Sequence, residues 1–224
     1  MSSGPADESI HTAQRERRVR SPKLAGGLLL LAGVAILMGI ITAEALYPDV
    51  YTTYDNEISD LGATRPPDSV IREPSATIFN TLMMVTGIMI LASASVLHGV
   101  FAAKRVTVPV ALLGLGVLGV GIFPGNKEVL HPLFALLAFV SGGFAAILSG
   151  KVQEVPFRYF SIGLGAITLA SLLVGMFGET TPVFEELGDG GVERWIAYPV
   201  VLWLVAFGSY LLSTNEAAYQ PGKT

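Results

Sequence analysis

Residues 24–46 read LAGGLLLLAGVAILMGIITAEAL. This run carries no charged side chain before Glu44, and an α-helix needs about 20 apolar residues to cross the hydrocarbon core of a bilayer. The basic residues before it and the Ala43-Glu44-Ala45 triplet would also fit a cleaved signal peptide. The apolar stretch is, however, longer than the roughly 7–15 residues of a signal core. We therefore expect residues 24–46 to be retained as a first membrane helix.

Five further apolar segments follow the first. They lie at 76–101, 106–123, 130–149, 157–177 and 195–213. Only 14% of the 224 residues are charged, against about 25% in soluble domains. No segment alternates polar and apolar residues, which argues against a membrane β-barrel. The sequence predicts an all-α, polytopic membrane helix bundle with about six transmembrane helices and the lipid bilayer as its surroundings.

The third segment is the shortest and the richest in glycine. Small residues let membrane helices approach one another closely. We therefore expect tight packing at its four glycines, which are Gly114, Gly116, Gly119 and Gly121.

The distribution of Lys and Arg predicts the orientation of the bundle, because basic residues near helix ends are retained in the cytoplasm. With the amino terminus inside, the outer side holds only Arg65, Arg72, Lys127 and Arg194. The inner side holds the other ten of the 14 basic residues: Arg15, Arg17, Arg18, Arg20, Lys23, Lys104, Arg105, Lys151, Arg158 and Lys223. We expect a multi-pass protein of the cell membrane with both termini in the cytoplasm.

The predicted spans divide the chain into three parts. Residues 1–23 are expected to form a disordered, basic cytoplasmic tail, residues 24–213 the six-helix transmembrane domain, and residues 214–224 a cytoplasmic C-terminal tail. The predicted inner connections, 102–105 and 150–156, are short, whereas the outer connections at 47–75 and 178–194 are long. Because long ordered loops more often carry function, we expect any site to lie on the outer side.

The first outer loop is dense in polar side chains, including Asn56, Ser59 and Asp60, and Asn80 follows one turn into the second helix. A polar side chain at that depth needs a partner or a wet cavity. These residues are candidates for ligand binding. The structural alternative is that Ser59 or Asp60 caps a short helix and Gly62 closes a turn.

His131 stands where the fourth helix enters the membrane and is the only histidine on the outer side. Its ring can exchange protons near neutral pH or fasten the turn by bonding a backbone carbonyl. A metal would need further ligands such as Asp60, Glu44, Glu179 or Glu193. Their spacing along the chain gives no support, and the chain has no cysteine, so we predict neither a metal nor another cofactor.

Glu193 and Arg194 lie at the edge of the last span, and Arg194 breaks the positive-inside trend. Arg194 could pair with Glu193, Glu179 or Asp60, or hold an anionic head group. The alternative is a structural ion pair between the last helix and the first loop. Glu44, in the last turn of the first helix, is expected either to reach water or to join a polar cluster.

Three sets of motifs occur in order along the chain. They are Asn56-Glu57-Ile58-Ser59-Asp60-Leu61-Gly62, Gly121-Ile122-Phe123-Pro124 with His131-Pro132, and Gly191-Val192-Glu193-Arg194-Trp195 with Tyr198-Pro199. Together they resemble the domain-of-unknown-function 998 family of prokaryotic membrane proteins over about residues 24–213. The resemblance implies a six-helix membrane fold and no established activity. The basic tail lies outside it.

These observations predict an outward-facing polar pocket that binds a lipid head group or a small polar ligand. In this hypothesis Arg194 holds an anion, Asp60 and Glu193 orient their partners, and His131 exchanges a proton. The candidate ligand-binding residues are Asn56, Ser59, Asp60, Asn80, His131, Glu193 and Arg194.

Three other functions remain open. A membrane-embedded lipid hydrolase could use Asp60 and His131 as an acid–base pair, although no nucleophile elbow surrounds Ser59. A small-solute transporter would place ionisable groups near the middle of the membrane, where these segments hold none. A structural accessory subunit is the third. Nucleic-acid binding is not expected, because the only basic cluster is the tail and topology explains it.

Overall fold

A computed structural model describes residues 22–101, 104–177 and 181–214. The regular elements in these ranges are helical. Six long helices run over Pro22–Ala45 (α1), Ser75–Phe101 (α2), Lys104–Ile122 (α3), Leu130–Ser149 (α4), Phe157–Phe177 (α5) and Pro182–Ser213 (α6), and two 3-10 turns cover Ile58–Leu61 and Gly150–Val152. All six long helices are long and apolar enough to span a membrane. The predicted all-α membrane bundle is confirmed.

The two predicted tails fall almost wholly outside the described residues. Of the first, only Pro22 and Lys23 are described, and both belong to α1. Of the second, only Thr214 is described. The expectation that these tails are disordered and cytoplasmic therefore stays a prediction.

The helices form a ring in chain order. Each helix packs against the next, and α6 returns to pack against α1. Helix α4 also touches α6 directly. Only 17% of the α5 span is buried, against 39% to 50% in the other five helices. Helices α1, α2, α3, α4 and α6 thus enclose the interior, and α5 covers the seam between α4 and α6 from outside.

Glycines allow the helices of the ring to approach closely. A Cβ atom added to Gly116 would lie 2.5 Å from the backbone nitrogen of Ala138 in α4, and one on Gly121 would lie 2.6 Å from the carbonyl oxygen of Asn80 in α2. The other two α3 glycines also face neighbouring helices, so the predicted tight packing is confirmed. At the closure between α1 and α6, a Cβ on Gly26 would lie 2.6 Å from the Gly208 carbonyl oxygen.

The apolar side chains divide between the ring interior and its outer surface. Trp203 and Phe207 are fully buried and stack at 5.4 Å between ring centroids, and Trp203 Nε1 donates to Ser149 Oγ at 3.0 Å. On the outside, Leu31 and Leu173 are each 59% exposed. Such side chains lie against lipid in a membrane, where their exposure to the surroundings carries no hydrophobic penalty.

Helix α6 differs most from the prediction. It was expected at 195–213 but begins at Pro182, so the predicted loop at 178–194 is wrong over residues 182–194. The backbone leaves the helical conformation only at Gly188 (φ 65°, ψ 176°), which separates a short helix at 182–187 from the long one. The sequence pattern ended the span at Glu193 and Arg194, but both charged side chains have partners within the protein, described below.

Candidate functional site

The long connection 46–74 folds over one end of the ring. We name this end the loop face and define it by residues 46–74, 123–129 and 181–190. Tyr54 joins the connection to the start of α6: its hydroxyl donates to the Glu185 carbonyl at 2.7 Å, and its carbonyl accepts from Gly190 N at 3.0 Å. Gly125 packs directly on the carbonyl of Ala63. The three segments therefore form one cover over the interior of the ring.

Arg194 is the main polar link between α6, α1 and the connection. Its Nη2 donates to Glu44 Oε1 at 2.7 Å and to the Tyr51 hydroxyl at 2.8 Å. Its Nη1 donates to three carbonyl oxygens, those of Gly190, Asn56 and Thr53, at 2.8, 2.9 and 3.3 Å. Only Nε lacks a partner among the described residues. The Arg194 side chain is only 9% exposed. Its guanidinium is therefore already hydrogen-bonded within the protein.

This arrangement identifies the partner of Arg194. Its ion pair is with Glu44, not with Glu193 or Asp60, and Glu179 lies outside the described residues. The structural alternative, an ion pair between the last helix and the first loop, is met only in part: the ion pair reaches Glu44 of the first helix, and the loop is held by hydrogen bonds to Tyr51, Thr53 and Asn56. Glu44 joins a polar cluster, which is one of the two outcomes expected for it.

The Glu193 side chain binds the backbone of the 3-10 turn in the connection. Its Oε2 accepts hydrogen bonds from the backbone nitrogens of Ile58 and, at 3.4 Å, of Ser59. These are the first N–H groups of the turn Ile58–Leu61, which have no partner within a helix. A carboxylate at that end also meets the positive end of the backbone dipoles.

The 3-10 turn confirms the expected short helix, and Asp60, one of the two residues expected to cap it, takes part in a capping box with Glu57. Glu57 occupies the N-cap position, while Ser59 and Asp60 lie within the turn. The Asp60 carboxylate accepts from Glu57 N at 3.1 Å and from Asn56 Nδ2 at 3.4 Å. Gly62 follows the turn with φ −88°, so its lack of a side chain serves close packing against Asn80 rather than backbone freedom.

Burial and mutual repulsion raise the pKa values of two acids of this turn, Glu57 and Asp60. Burial raises the pKa of Glu57; the adjacent Arg65 guanidinium lowers it, and the charges of Asp60 and Asp189 raise it again. Burial likewise raises the pKa of Asp60, against the hydrogen bond from Asn56. Both carboxyl groups therefore bind a proton more readily than they would in water.

His131 and Asn80 fasten neighbouring turns. The Nδ1 atom of His131 lies 2.8 Å from the Phe123 carbonyl oxygen, so Nδ1 carries a proton and donates to this carbonyl. This is the backbone bond foreseen as the structural alternative for His131. Asn80 Nδ2 donates to the Gly62 carbonyl at 3.3 Å, and its Oδ1 has no partner among the described residues.

A cavity of about 290 Å³ opens below the loop face between α4, α5 and α6. We name it the loop-face cavity. Its deeper wall is apolar and includes Phe139, Leu172 and Ile196. Leu136 and Met176, also in this wall, are 39% and 50% exposed, so the cavity borders the lipid-facing surface. Its polar lining consists of Glu57, Ser59, Arg65, His131, Asp189 and Glu193.

A second cavity of about 90 Å³ lies inside the ring, and we name it the central cavity. Apolar side chains of α1, α2, α3, α4 and α6 line it, and α5 contributes none. An empty apolar cavity costs roughly 24 cal/mol per Å³, so this one would cost about 2 kcal/mol if nothing filled it. Five residues line both cavities: Ser59, His131, Ala135, Phe139 and Glu193.

The structure separates the seven candidate residues into two groups. Ser59, His131 and Glu193 line both cavities. The other four hold the cover in place through the hydrogen bonds given above; they are Asn56, Asp60, Asn80 and Arg194. That either group of residues binds a ligand stays a prediction.

Three polar residues of the loop-face cavity were not among the candidates: Glu57, Arg65 and Asp189. Arg65 pairs with Glu57 at 2.7 Å, and, like Arg194, it is a basic residue on the predicted outer side, which was a usable signal. Asp189 precedes Glu193 by four positions and so shares its helix face. That signal was hidden because the segment was expected to be a loop.

The geometry offers limited support for the catalytic alternatives. No hydrogen bond joins Ser59, Asp60 and His131, all three of which are described: Ser59 Oγ donates to Glu57 Oε2 at 3.4 Å, and the other two have the partners given above. Within residues 22–101, 104–177 and 181–214, no three His, Asp or Glu side chains stand together as metal ligands would.

Comparison with known proteins agrees with the resemblance seen in the motifs. One family model, described as "Protein of unknown function (DUF998)", matches residues 30–210. No curated protein and no solved structure matches the chain. The matched range includes α2 to α5 in full, most of α1 and α6, the connection 46–74 and the residues of both cavities. The chain is an integral membrane protein and belongs to the DUF998 family.

Proposed function

We propose that the protein binds an amphiphilic lipid, with the polar head group in the upper part of the loop-face cavity. The observation that carries this proposal is the composition of that one cavity, which has a charged upper lining, an apolar deeper wall and a border on the lipid-facing surface. Its volume of about 290 Å³ is near the lower end of small-molecule sites. In cells we place this site on the outer side of the cell membrane, with both termini in the cytoplasm.

The charge of the lining favours a head group that carries an ammonium. Three carboxyl side chains, Glu57, Asp189 and Glu193, face one guanidinium, that of Arg65, which is already paired with Glu57. An ammonium would reduce the repulsion among the carboxylates, whereas an added anion would increase it. A zwitterionic lipid such as phosphatidylethanolamine suits this lining better than an anionic lipid such as phosphatidylglycerol.

This proposal gives the seven candidate residues different roles. Ser59, His131 and Glu193 are the ones placed to touch a ligand. Arg194 does not hold an anion, because four of its five N–H groups are directed to Glu44, Tyr51 and backbone carbonyls. It acts instead by holding the cover over the cavity.

The experiment is a competition between two lipids. The purified protein receives equal amounts of phosphatidylethanolamine and phosphatidylglycerol in detergent, and native mass spectrometry counts the lipid adducts. We expect phosphatidylethanolamine adducts to dominate for the wild type and to fall in Asp189→Asn. The matched control is Asp68→Asn, an exposed aspartate of the loop face that does not line the cavity.

Equal adducts of the two lipids, or the same loss in Asp189→Asn and Asp68→Asn, would refute the head-group assignment. Tight binding of a water-soluble amine without any lipid adduct would favour the small-polar-ligand version instead. Release of a free fatty acid from either lipid, lost in His131→Ala, would favour the hydrolase. Stoichiometric co-purification of another protein without a lipid would favour the accessory subunit.

A further inference from the structure

The central cavity adjoins the loop-face cavity, which makes it a candidate site for the apolar part of the ligand. The polar residues that line the central cavity are Ser59, His131 and Glu193, and these same three line the loop-face cavity. Every other residue of its lining is apolar. The polar groups of the central cavity therefore lie on the side that adjoins the loop-face cavity, and the rest of its wall is apolar.

Ala135 and Phe139 of α4 lie where the two cavities meet, since both residues line both cavities. They are one turn apart on the same helix face. Ala135 has a small side chain, and Phe139 is only partly buried. The side chains of Ala135 and Phe139 therefore form part of the boundary between the two cavities.

The central cavity is enclosed by the ring. Its apolar residues come from five helices, with Ile36 of α1, Met83 of α2, Val117 of α3, Ala138 of α4 and Val201 of α6 as representatives. Because α1 and α6 close the ring, a group inside it is surrounded by these five helices. A volume of about 90 Å³ holds part of one hydrocarbon chain and excludes a second one.

We infer that the central cavity binds the end of a single alkyl chain, which passes Phe139 while its polar head group remains in the loop-face cavity. This inference rests on the proposed function and adds the ligand class: an amphiphile with one linear chain free to leave the bilayer, such as a monoacyl lipid. The chain would fill space that otherwise costs stability. Its selectivity would come from shape, because the bilayer solvates the chain as well as the cavity does.

The experiment locates the chain directly. A lysophosphatidylethanolamine with a diazirine at the end of its acyl chain is bound to the protein and photolysed, and the modified residues are mapped by mass spectrometry. We expect modification at Ile36, Leu113 and Val117, which line the central cavity. Lipid that merely surrounds the protein would modify Leu31 and Leu115, which are 59% and 42% exposed on the outer surface.

A cavity-filling variant provides the decisive comparison. Ala197 lines the central cavity and not the loop-face cavity, so Ala197→Leu adds three carbon atoms where the chain end would lie. We expect it to abolish modification of the central residues while intact lipid adducts persist. Ala92→Leu, at an exposed position of α2, is the matched control and should leave the pattern unchanged. If Ala197→Leu does not fold, Val117→Phe serves the same purpose, read at Ile36 and Leu113.

The outcomes separate this inference from the proposed function. Adducts that form with modification confined to the outer surface would overturn the inference and leave head-group binding intact. Modification of Ile36 or Leu113 that persists in the filled variant would overturn it as well. If neither lysophosphatidylethanolamine nor phosphatidylethanolamine forms adducts, the proposed function itself has failed.

Discussion

At the scale of single residues, Arg194 shows how a charge is retained within a membrane-spanning helix. An unpaired guanidinium there would be costly, but Arg194 has a carboxylate, a phenol and three carbonyls as acceptors. Tyr51, which accepts from it, donates in turn to the Glu57 carbonyl at 3.0 Å. The sequence predicted a partner for Arg194 because the residue breaks the charge trend. It could not identify Glu44, which lies 150 residues away along the chain.

Removing Arg194 should be strongly destabilising. Arg194→Met leaves Glu44 and four other acceptors without their donor, and breaking a buried ion pair costs about 3–5 kcal/mol. Arg194→Lys should recover only part of this, because an ammonium cannot reproduce the planar fork of donors. Thermal unfolding in detergent measures both. Arg72→Met is the control: Arg72 pairs with Asp49, but their side chains are 40% and 57% exposed, so its loss should cost at most about 1 kcal/mol.

The pH dependence of stability should report the acids of the loop face. Since the folded pKa of Glu57 is raised above 4.5, the folded protein binds a proton at pH values where the unfolded chain has lost it. The resulting stabilisation is complete below the unfolded pKa and is lost as pH rises through the folded pKa. The melting temperature should therefore rise as pH falls from 7 towards 4.5. Glu57→Gln should make this slope shallower, and Asp68→Asn should not; an unchanged slope in Glu57→Gln would contradict the assignment.

At the scale of secondary structure, α4 and α5 begin and end at their predicted residues. Charged residues lie at or just beyond the ends of both apolar runs, at Glu128, Lys151, Arg158 and Glu179, so hydropathy alone was sufficient. Helix α6 was not predictable in the same way. Asp189, Glu193 and Arg194 look like a loop in the sequence, and they are helical because the connection 46–74 supplies acceptors and donors that a local pattern does not show.

Gly188 sets the angle between the two parts of α6. Its φ of 65° and ψ of 176° lie in a region that only glycine adopts readily, at a cost of about 1–3 kcal/mol for other residues. A side chain there would also collide with the Tyr54 carbonyl. We expect Gly188→Ala to lower the free energy of unfolding by at least this amount and to loosen the loop face, as thermal unfolding and protease sensitivity at 46–74 would show.

The matched control for Gly188→Ala lies in α5. Gly163 has nothing within 4 Å of an added Cβ and lies inside a regular helix. Alanine is favoured over glycine in a helix interior by roughly 0.5–1 kcal/mol. Gly163→Ala should therefore stabilise the protein slightly. Equal effects of the two substitutions would show that the conformation at Gly188 is not required.

At the scale of the whole molecule, the sequence predicted the number of spans and the polar character of one face but not the ring. Hydropathy identifies each helix separately and says nothing of which helix lies beside which. The closure between α1 and α6 depends on Gly26, Gly33 and Gly208, which in the sequence look like ordinary small residues. The central cavity depends on that closure, so the sequence could not predict it either.

The orientation of the bundle can be tested because the chain contains no cysteine, so any introduced thiol is unique. Val50 on the loop face is 84% exposed, and Val155 at the opposite end is 62% exposed. If the termini are cytoplasmic, a membrane-impermeant maleimide should label Val50→Cys in intact cells. It should label Val155→Cys only after the membrane is permeabilised. The reverse pattern would invert the predicted orientation.

The closed ring also has a consequence for how the protein is made. Helix α1 enters the bilayer first and α6 last, yet the two must pack together and form the Glu44–Arg194 ion pair. Until translation reaches α6, Glu44 has no cation, the 3-10 turn lacks Glu193, and the glycine surface of α1 is uncovered. A nascent chain that stops early therefore carries an unpaired charge at the membrane edge. We expect such products to be degraded by membrane quality-control proteases, so that only full-length chains accumulate.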